Sequence, residues 1–218
     1  MEKIMFRLFE YDVSGYVLFE SGAVLITFLC VLAAVRQKII TFPLGMAGTG
    51  MYFAIFYMQR VYSSMILQVV FFSFNVYGFY KWTHPDPDKA DSNNRLSVTI
   101  LTIGQRATVL FIVILLTCVS GYASSNYHIW FPEFFPEPAK YVFIDAFILS
   151  ASLVAQYLMA IKKLENWVIW LIIDLIAAPF YFLTVGAGTG LLYTVFIVTA
   201  VAGLTGWYKS YKKPDTSI

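Results

Sequence analysis

Seven apolar runs divide the chain, at 17–35, 42–58, 63–82, 98–122, 142–160, 166–184 and 190–208. About 20 such residues span the hydrocarbon of a bilayer as one helix. Lipid offers no partner to a bare backbone, so each run predicts a helix rather than a strand. Most connections are short. Two are longer: WTHPDPDKADSNNR at 82–95 is polar and punctuated by Pro and Asp, and SSNYHIWFPEFFPEP at 124–138 mixes prolines with aromatics, which predicts an interfacial loop. The opening stretch MEKIMFRLFEYDVSGY mixes acids with bases and shows no small-residue cleavage site, so no signal peptide is read there and the first run serves as the targeting element.

Composition agrees with this pattern. The chain of 218 residues is 59% hydrophobic and 18% aromatic, and only 13% is charged; its mean hydropathy is +0.70. A soluble domain carries about a quarter charged residues. The fold class expected is therefore all-α, a polytopic membrane protein of seven helices with the bilayer as its first partner. A net charge of +2 without a basic, aromatic-interleaved run excludes nucleic acid as a partner. Cys30 and Cys118 lie in apolar runs with no CxxC or Cys/His partner, and His84 and His128 fall in predicted loops without ligand spacing, so neither a metal nor a cofactor is expected.

Basic residues orient the helices. With the N-terminus outside, Arg36, Lys38, Lys81, Lys89, Arg95, Lys162, Lys163, Lys209, Lys212 and Lys213 fall on the cytoplasmic side; Lys3, Arg7, Arg60 and Lys140 fall outside, and Arg106 stands near the start of the fourth helix. The positive-inside rule selects this orientation, with the C-terminus in the cytoplasm.

A shift of 125 residues lays VLFESG (17–22) on VFIDAF (142–147) and LQVVFFSFNVYGFYKW (67–82) on LYTVFIVTAVAGLTGW (192–207). Leu67/Leu192, Val70/Val195, Phe71/Phe196, Val76/Val201, Gly78/Gly203 and Trp82/Trp207 then coincide, and Glu20 falls on Asp145. One ungapped offset superposes helices 1–3 on 5–7 and leaves helix 4 as a connector, which is the layout of parallel repeats around a central site. The expected organisation is an N-terminal segment 1–16, a first repeat 17–82, a loop, linker helix and outer loop over 83–141, a second repeat 142–208 and a cytoplasmic tail 209–218.

Chemistry concentrates in ENWVIWLIIDLIAAPFYF, 165–182, where Asp174 has no charged neighbour from Trp167 to Phe182. A carboxylate at the bilayer centre costs about 2.5–3.5 kcal/mol even on lenient insertion scales. Trp167, Trp170 and Asp174 stand at i, i+3 and i+7 on one helix face. Two electron-rich rings and an acid suit a flat, cationic heteroaromatic small molecule, with cation–π contacts of about 0.5–2 kcal/mol each. Helix 3 adds Gln68 and Asn75, seven apart; helix 7 adds Tyr193, equivalent to Gln68, and Tyr181 lies two turns beyond Asp174. The plainer alternatives are an interfacial indole pair, an acid kept neutral by burial, and amides that bond neighbouring helices. Pro179 opens or kinks helix 6, and Glu20 and Asp145 are expected in outer water.

WVIWLIID has the form W-x-x-W-x-x-x-(N/D) and resembles the signature of the Pnu-type vitamin-precursor transporters. FPLG at 42–45, LQVVFFSFNVYGFYKW, LLYTVF and GLTGW resemble that family too, although Phe42 stands where the family often has Trp. The resemblance spans about 20–210. It implies a bacterial inner-membrane carrier of three-plus-one-plus-three, SWEET-like plan, a homotrimer that works by alternating access. The implied activity is facilitated uptake of nicotinamide riboside for NAD biosynthesis, followed by cytoplasmic phosphorylation that traps the substrate. Trp167, Trp170, Asp174, Gln68, Asn75, Tyr193 and Tyr181 are the substrate-binding candidates. Thiamine is the nearest alternative, and riboflavin, which carries no fixed cation, the third. A retinal-type receptor needs a lysine in the last helix, and 190–208 has none. An intramembrane enzyme needs a second catalytic group at the depth of Asp174, so the expectation is a carrier and not an enzyme.

Overall fold

The computed structural model describes residues 4–8, 11–58, 62–91, 95–133, 138, 141–184 and 187–212. Seven long helices follow one another: α1 Gly15–Val35, α2 Thr41–Met58, α3 Tyr62–Thr83, α4 Ile103–Trp130, α5 Val142–Ala160, α6 Glu165–Thr184 and α7 Ala187–Lys212. Their ends fall within a few residues of the apolar runs, apart from α4. An addition that hydrophobic periodicity did not anticipate is a hairpin ahead of α1, where β1 (Ile4–Leu8) pairs antiparallel with β2 (Tyr11–Ser14). Among the described residues, four helices contain windows long and apolar enough to cross a membrane by length and composition: Leu18–Val35, Ile103–Trp130, Val142–Ala160 and Gly190–Lys212. The other three, α2, α3 and α6, are 18, 22 and 20 residues long, which at ~1.5 Å per residue reaches about 27–33 Å.

The fourth helix corrects the reading from apolarity. It spans 103–130 rather than 98–122, for reasons at both ends. Thr102 caps it: its hydroxyl accepts from the Gln105 amide at 3.3 Å, and the Gln105 side chain accepts from the Thr102 N–H at 3.0 Å. Ahead of that cap the apolar residues run extended along the α5–α6 turn. The Thr99 N–H donates to the Lys162 carbonyl at 3.2 Å, and the Leu164 N–H donates to the Thr99 carbonyl at 2.9 Å. At the far end, Ser125 and Asn126 bond back to the Gly121 and Tyr122 carbonyls at 2.9 and 2.8 Å. Those polar side chains are satisfied by their own helix and do not interrupt it. His128 is therefore helical, not a loop residue; the helix gives out at Phe131, whose neighbour Pro132 disfavours α backbone before it. Pro179, by contrast, lies inside a continuous α6.

The chain forms two compact units, one through Leu96 and one from Ser97. In the first, α2 packs against both α1 and α3. In the second, α5 lies against α4 and α6, and α6 against α7. Leu101, Val113, Ala151, Val154, Leu158 and Ile173 form the second unit's buried cluster. Small residues let its helices close up: a Cβ on Gly121 would stand 2.8 Å from the Phe143 ring.

The turns into α2 and α6 have the same geometry. Gln37 sits at φ 53° and Lys162 at φ 56°, left-handed conformations that cost a non-glycine residue about 1 kcal/mol. Gln37 and Lys38 donate to the Ala34 and Ala33 carbonyls at 3.0 and 2.9 Å; Lys162 and Lys163 donate to the Met159 and Leu158 carbonyls at 3.0 and 2.9 Å. Both are Schellman closures of the preceding helix, 125 residues apart.

Candidate functional site

The candidate site begins on α6, where burial sorts its residues. Trp167 is 2% exposed. Its ring covers Gly203 of α7 so closely that a Cβ there would lie 2.5 Å from Cε2, and it forms an edge-to-face pair with Trp207, 5.7 Å between centroids and 82° between planes. Trp170 is half-buried and packs on the α4–α5 side, against the cluster around Val154 and Ile173. The two indoles thus part company, and no stacking joins them. On a helix of 3.6 residues per turn, i+3 is about 60° off the line that i and i+7 share. Trp167 and Asp174 keep that line while Trp170 turns toward the other neighbour.

Asp174 is 4% exposed, with no hydrogen bond or ion pair among the described residues. Both indole Nε1 atoms are likewise buried without acceptors there. A buried polar group without a partner costs roughly 1–3 kcal/mol, and more when charged. Two unpartnered indole nitrogens and a buried acid thus lie within two turns of one helix.

The remaining candidates are placed as follows. Asn75 of α3 is 5% exposed, and its Nδ2 donates to the Phe71 carbonyl at 2.9 Å. Gln68 is half-buried one heptad earlier. Tyr193 of α7 is half-buried and edge-on to Phe196 at 5.8 Å. The Tyr181 side chain lies outside the described residues, as do Lys3, Arg60, Lys140 and Lys213. Glu20 and Asp145 are exposed. Cys30 and Cys118 are free thiols. Cys30 shares a reciprocal contact with Thr41, which donates to the Cys30 carbonyl at 3.0 Å and receives the thiol on its own carbonyl at 3.1 Å.

The first unit repeats the aromatic arrangement at positions 125 residues earlier. Phe42 covers Gly78, where a Cβ would lie 2.7 Å from Cζ, and forms an edge-to-face pair with Trp82 at 5.0 Å and 85°. Two steps along the same faces the units diverge. Trp170 and Asp174 correspond to Gly45 and Thr49, and Ala200 to Asn75. The Thr49 hydroxyl is satisfied locally, donating to the Gly45 carbonyl at 2.8 Å. Sequence reasoning passed over Gly45, and also Asn166, whose fully buried amide donates to the Lys163 carbonyl at 2.6 Å while its Oδ1 has no partner. The Phe42/Trp167 alignment at the same offset was the available signal for both.

The long apolar helices and the buried acid on α6 define a multi-pass helical membrane protein. The chain matches the nicotinamide mononucleotide transporter family over residues 17–209, and it belongs to that family. It is 26% identical to the nicotinamide riboside transporter PnuC of Escherichia coli K12, over 93% of this chain and 89% of that protein. The riboflavin/roseoflavin transporter RibM of Streptomyces davaonensis is 25% identical, over 79% and 76%. A nicotinamide riboside transporter PnuC from Neisseria mucosa is 21% identical, over 85% and 70%. A crystal structure of the vitamin B3 transporter PnuC superposes with a TM-score of 0.67 at 21% identity, covering 91% of this chain and 83% of that one, and so shares its fold.

Proposed function

We propose that this chain carries nicotinamide riboside across a bacterial inner membrane, binding the pyridinium ring through Asp174 and Trp170. The observation that carries the reading is the Asp174 carboxylate: 4% exposed, unpaired among the described residues, and one turn from a half-open indole. A ligand cation offsets the burial of that acid, and the Trp170 face adds about 0.5–2 kcal/mol. Trp167 packs on Gly203 of α7 and holds the start of α6 in place. Gln68, Asn75, Tyr193 and Tyr181 are the further candidates to contact ribose hydroxyls and a carboxamide.

The wider reading follows the family. The N-terminus is outside and the C-terminus in the cytoplasm, the protein is a homotrimer, and residues 17–82 and 142–208 are repeats whose rearrangement alternates access. The matched turns at Gln37 and Lys162 and the matched ring pairs support the repeat. Transport is facilitated diffusion, made one-way by phosphorylation of the substrate in the cytoplasm.

Purified protein is tested for binding of radiolabelled nicotinamide riboside, thiamine and riboflavin, then for uptake in proteoliposomes. Nicotinamide riboside is expected to bind tightest and to exchange without an ion gradient. Uptake that collapses when proton and sodium gradients are dissipated would make it a symporter. Preferential riboflavin binding, the activity named for the Streptomyces relative, would replace the substrate and remove the need for a cation at Asp174.

A further inference from the structure

A glycine in the interior of a helix costs about 1 kcal/mol relative to alanine, so Gly45, inside α2, needs a reason to be there. Its reason is the neighbouring helix. A Cβ at Gly45 would overlap the Asn75 amide, lying 2.7 Å from its Cγ and 3.0 Å from Nδ2, with Oδ1 closer still. The amide therefore lies flat on the α2 backbone. Its other edge is fixed by the bond from Nδ2 to the Phe71 carbonyl at 2.9 Å. At 5% exposure it has little room to choose another rotamer.

The second unit carries different residues at the corresponding positions. There the α6 position is Trp170 and the α7 position is Ala200, which is 1% exposed. The close approach of glycine to asparagine belongs to the first unit; in the second, Trp170 packs toward α4 and α5 instead.

We infer that Gly45 is a positioning residue, which clears the groove for Asn75 and so sets the direction in which its amide meets the substrate. The inference rests on the reading of Asn75 as a ligand residue given above. A methyl group at Gly45 turns the amide away from the Phe71 carbonyl and out of register with the ligand, at little cost to a binding site that did not use it.

The test is a double-mutant cycle on the full chain in detergent and in proteoliposomes, with Gly45→Ala, Asn75→Ala and both together. The probe is radiolabelled nicotinamide riboside, and thermal unfolding is followed in parallel. Gly45→Ala is expected to weaken binding about tenfold, to raise KM with maximal uptake per folded protein unchanged, and to lower Tm. On the Asn75→Ala background the same change is expected to do none of these. Wild-type affinity in Gly45→Ala, or an equal loss on both backgrounds, overturns the inference. Normal binding by Asn75→Ala overturns it as well and leaves the functional reading standing on Asp174. No binding by the unsubstituted chain overturns the functional reading and the ligand half of this inference, while the Tm cycle still decides whether Gly45 holds Asn75.

Discussion

Trp167 meets Trp207 edge to face, with ring centroids 5.7 Å apart and planes at 82°. The same relationship joins Phe42 to Trp82 at 5.0 Å and 85°. In both pairs the first ring lies on a glycine of the partner helix, Gly203 or Gly78. Edge-to-face pairs add about 0.5–1.5 kcal/mol to the area they bury, so each helix pair is fastened at its start by one aromatic lock. Trp167 is therefore as much a packing residue as a neighbour of the acid, and this separates what its substitution does from what changes at Trp170 do.

Trp167→Phe is expected to keep the protein folded, because phenylalanine already fills the corresponding place at position 42. Trp167→Ala opens a cavity against Gly203 and Trp207 and is expected to cost about 3–5 kcal/mol. Thermal unfolding in detergent distinguishes the two; equal losses would remove the lock from the account.

Gly203→Ala pushes a methyl group into the Trp167 ring and is expected to destabilise by about 1–3 kcal/mol. Gly50 provides the control. Nothing lies within 4 Å of a Cβ there, so Gly50→Ala is expected to be neutral or to stabilise by up to about 1 kcal/mol through helix propensity. A fall in Tm for both variants would mean that glycine serves chain flexibility rather than close packing.

Asp174→Asn is expected to weaken nicotinamide riboside binding at least about tenfold, the loss typical of a charge-assisted contact. Stability should hold or rise, since a buried acid without a partner is a liability to the empty fold. Trp170→Ala should weaken binding without unfolding, because its ring is only half-buried. Full affinity in both variants would move the site elsewhere.

Glu165 accepts from the Leu101 N–H at 2.9 Å and from Arg106 at 3.0 Å. The Arg106 side chain is 55% exposed, so the ion pair itself is worth less than about 1 kcal/mol. Glu165→Gln keeps an acceptor for Leu101 and is expected to change Tm little, whereas Glu165→Ala orphans the amide and costs more. Repeating the wild-type measurement at high salt should move Tm only slightly. A large salt effect would assign the anchor to charge instead of to the backbone bond.

The number, order and approximate ends of the helices were legible in the sequence because lipid imposes one requirement, a run of about 20 apolar residues, on every span. The isolation of Asp174 was legible for the same reason. Helix 4 shows the limit of that reading. Apolarity at Val98–Leu101 says only that these residues avoid water, and they do so as extended chain against the α5–α6 turn, up to the cap at Thr102.

By itself, then, the sequence determined the helices and the apolar setting of Asp174, since hydropathy and helical period are local properties of the chain. Tertiary structure alone decided which neighbour each side chain meets. Trp167 turns to α7 and Trp170 toward α5, and the Asn75 amide rests on a glycine 30 residues earlier in the chain. Period assigns a residue to a face, but the volume left on that face is set by the helix across from it.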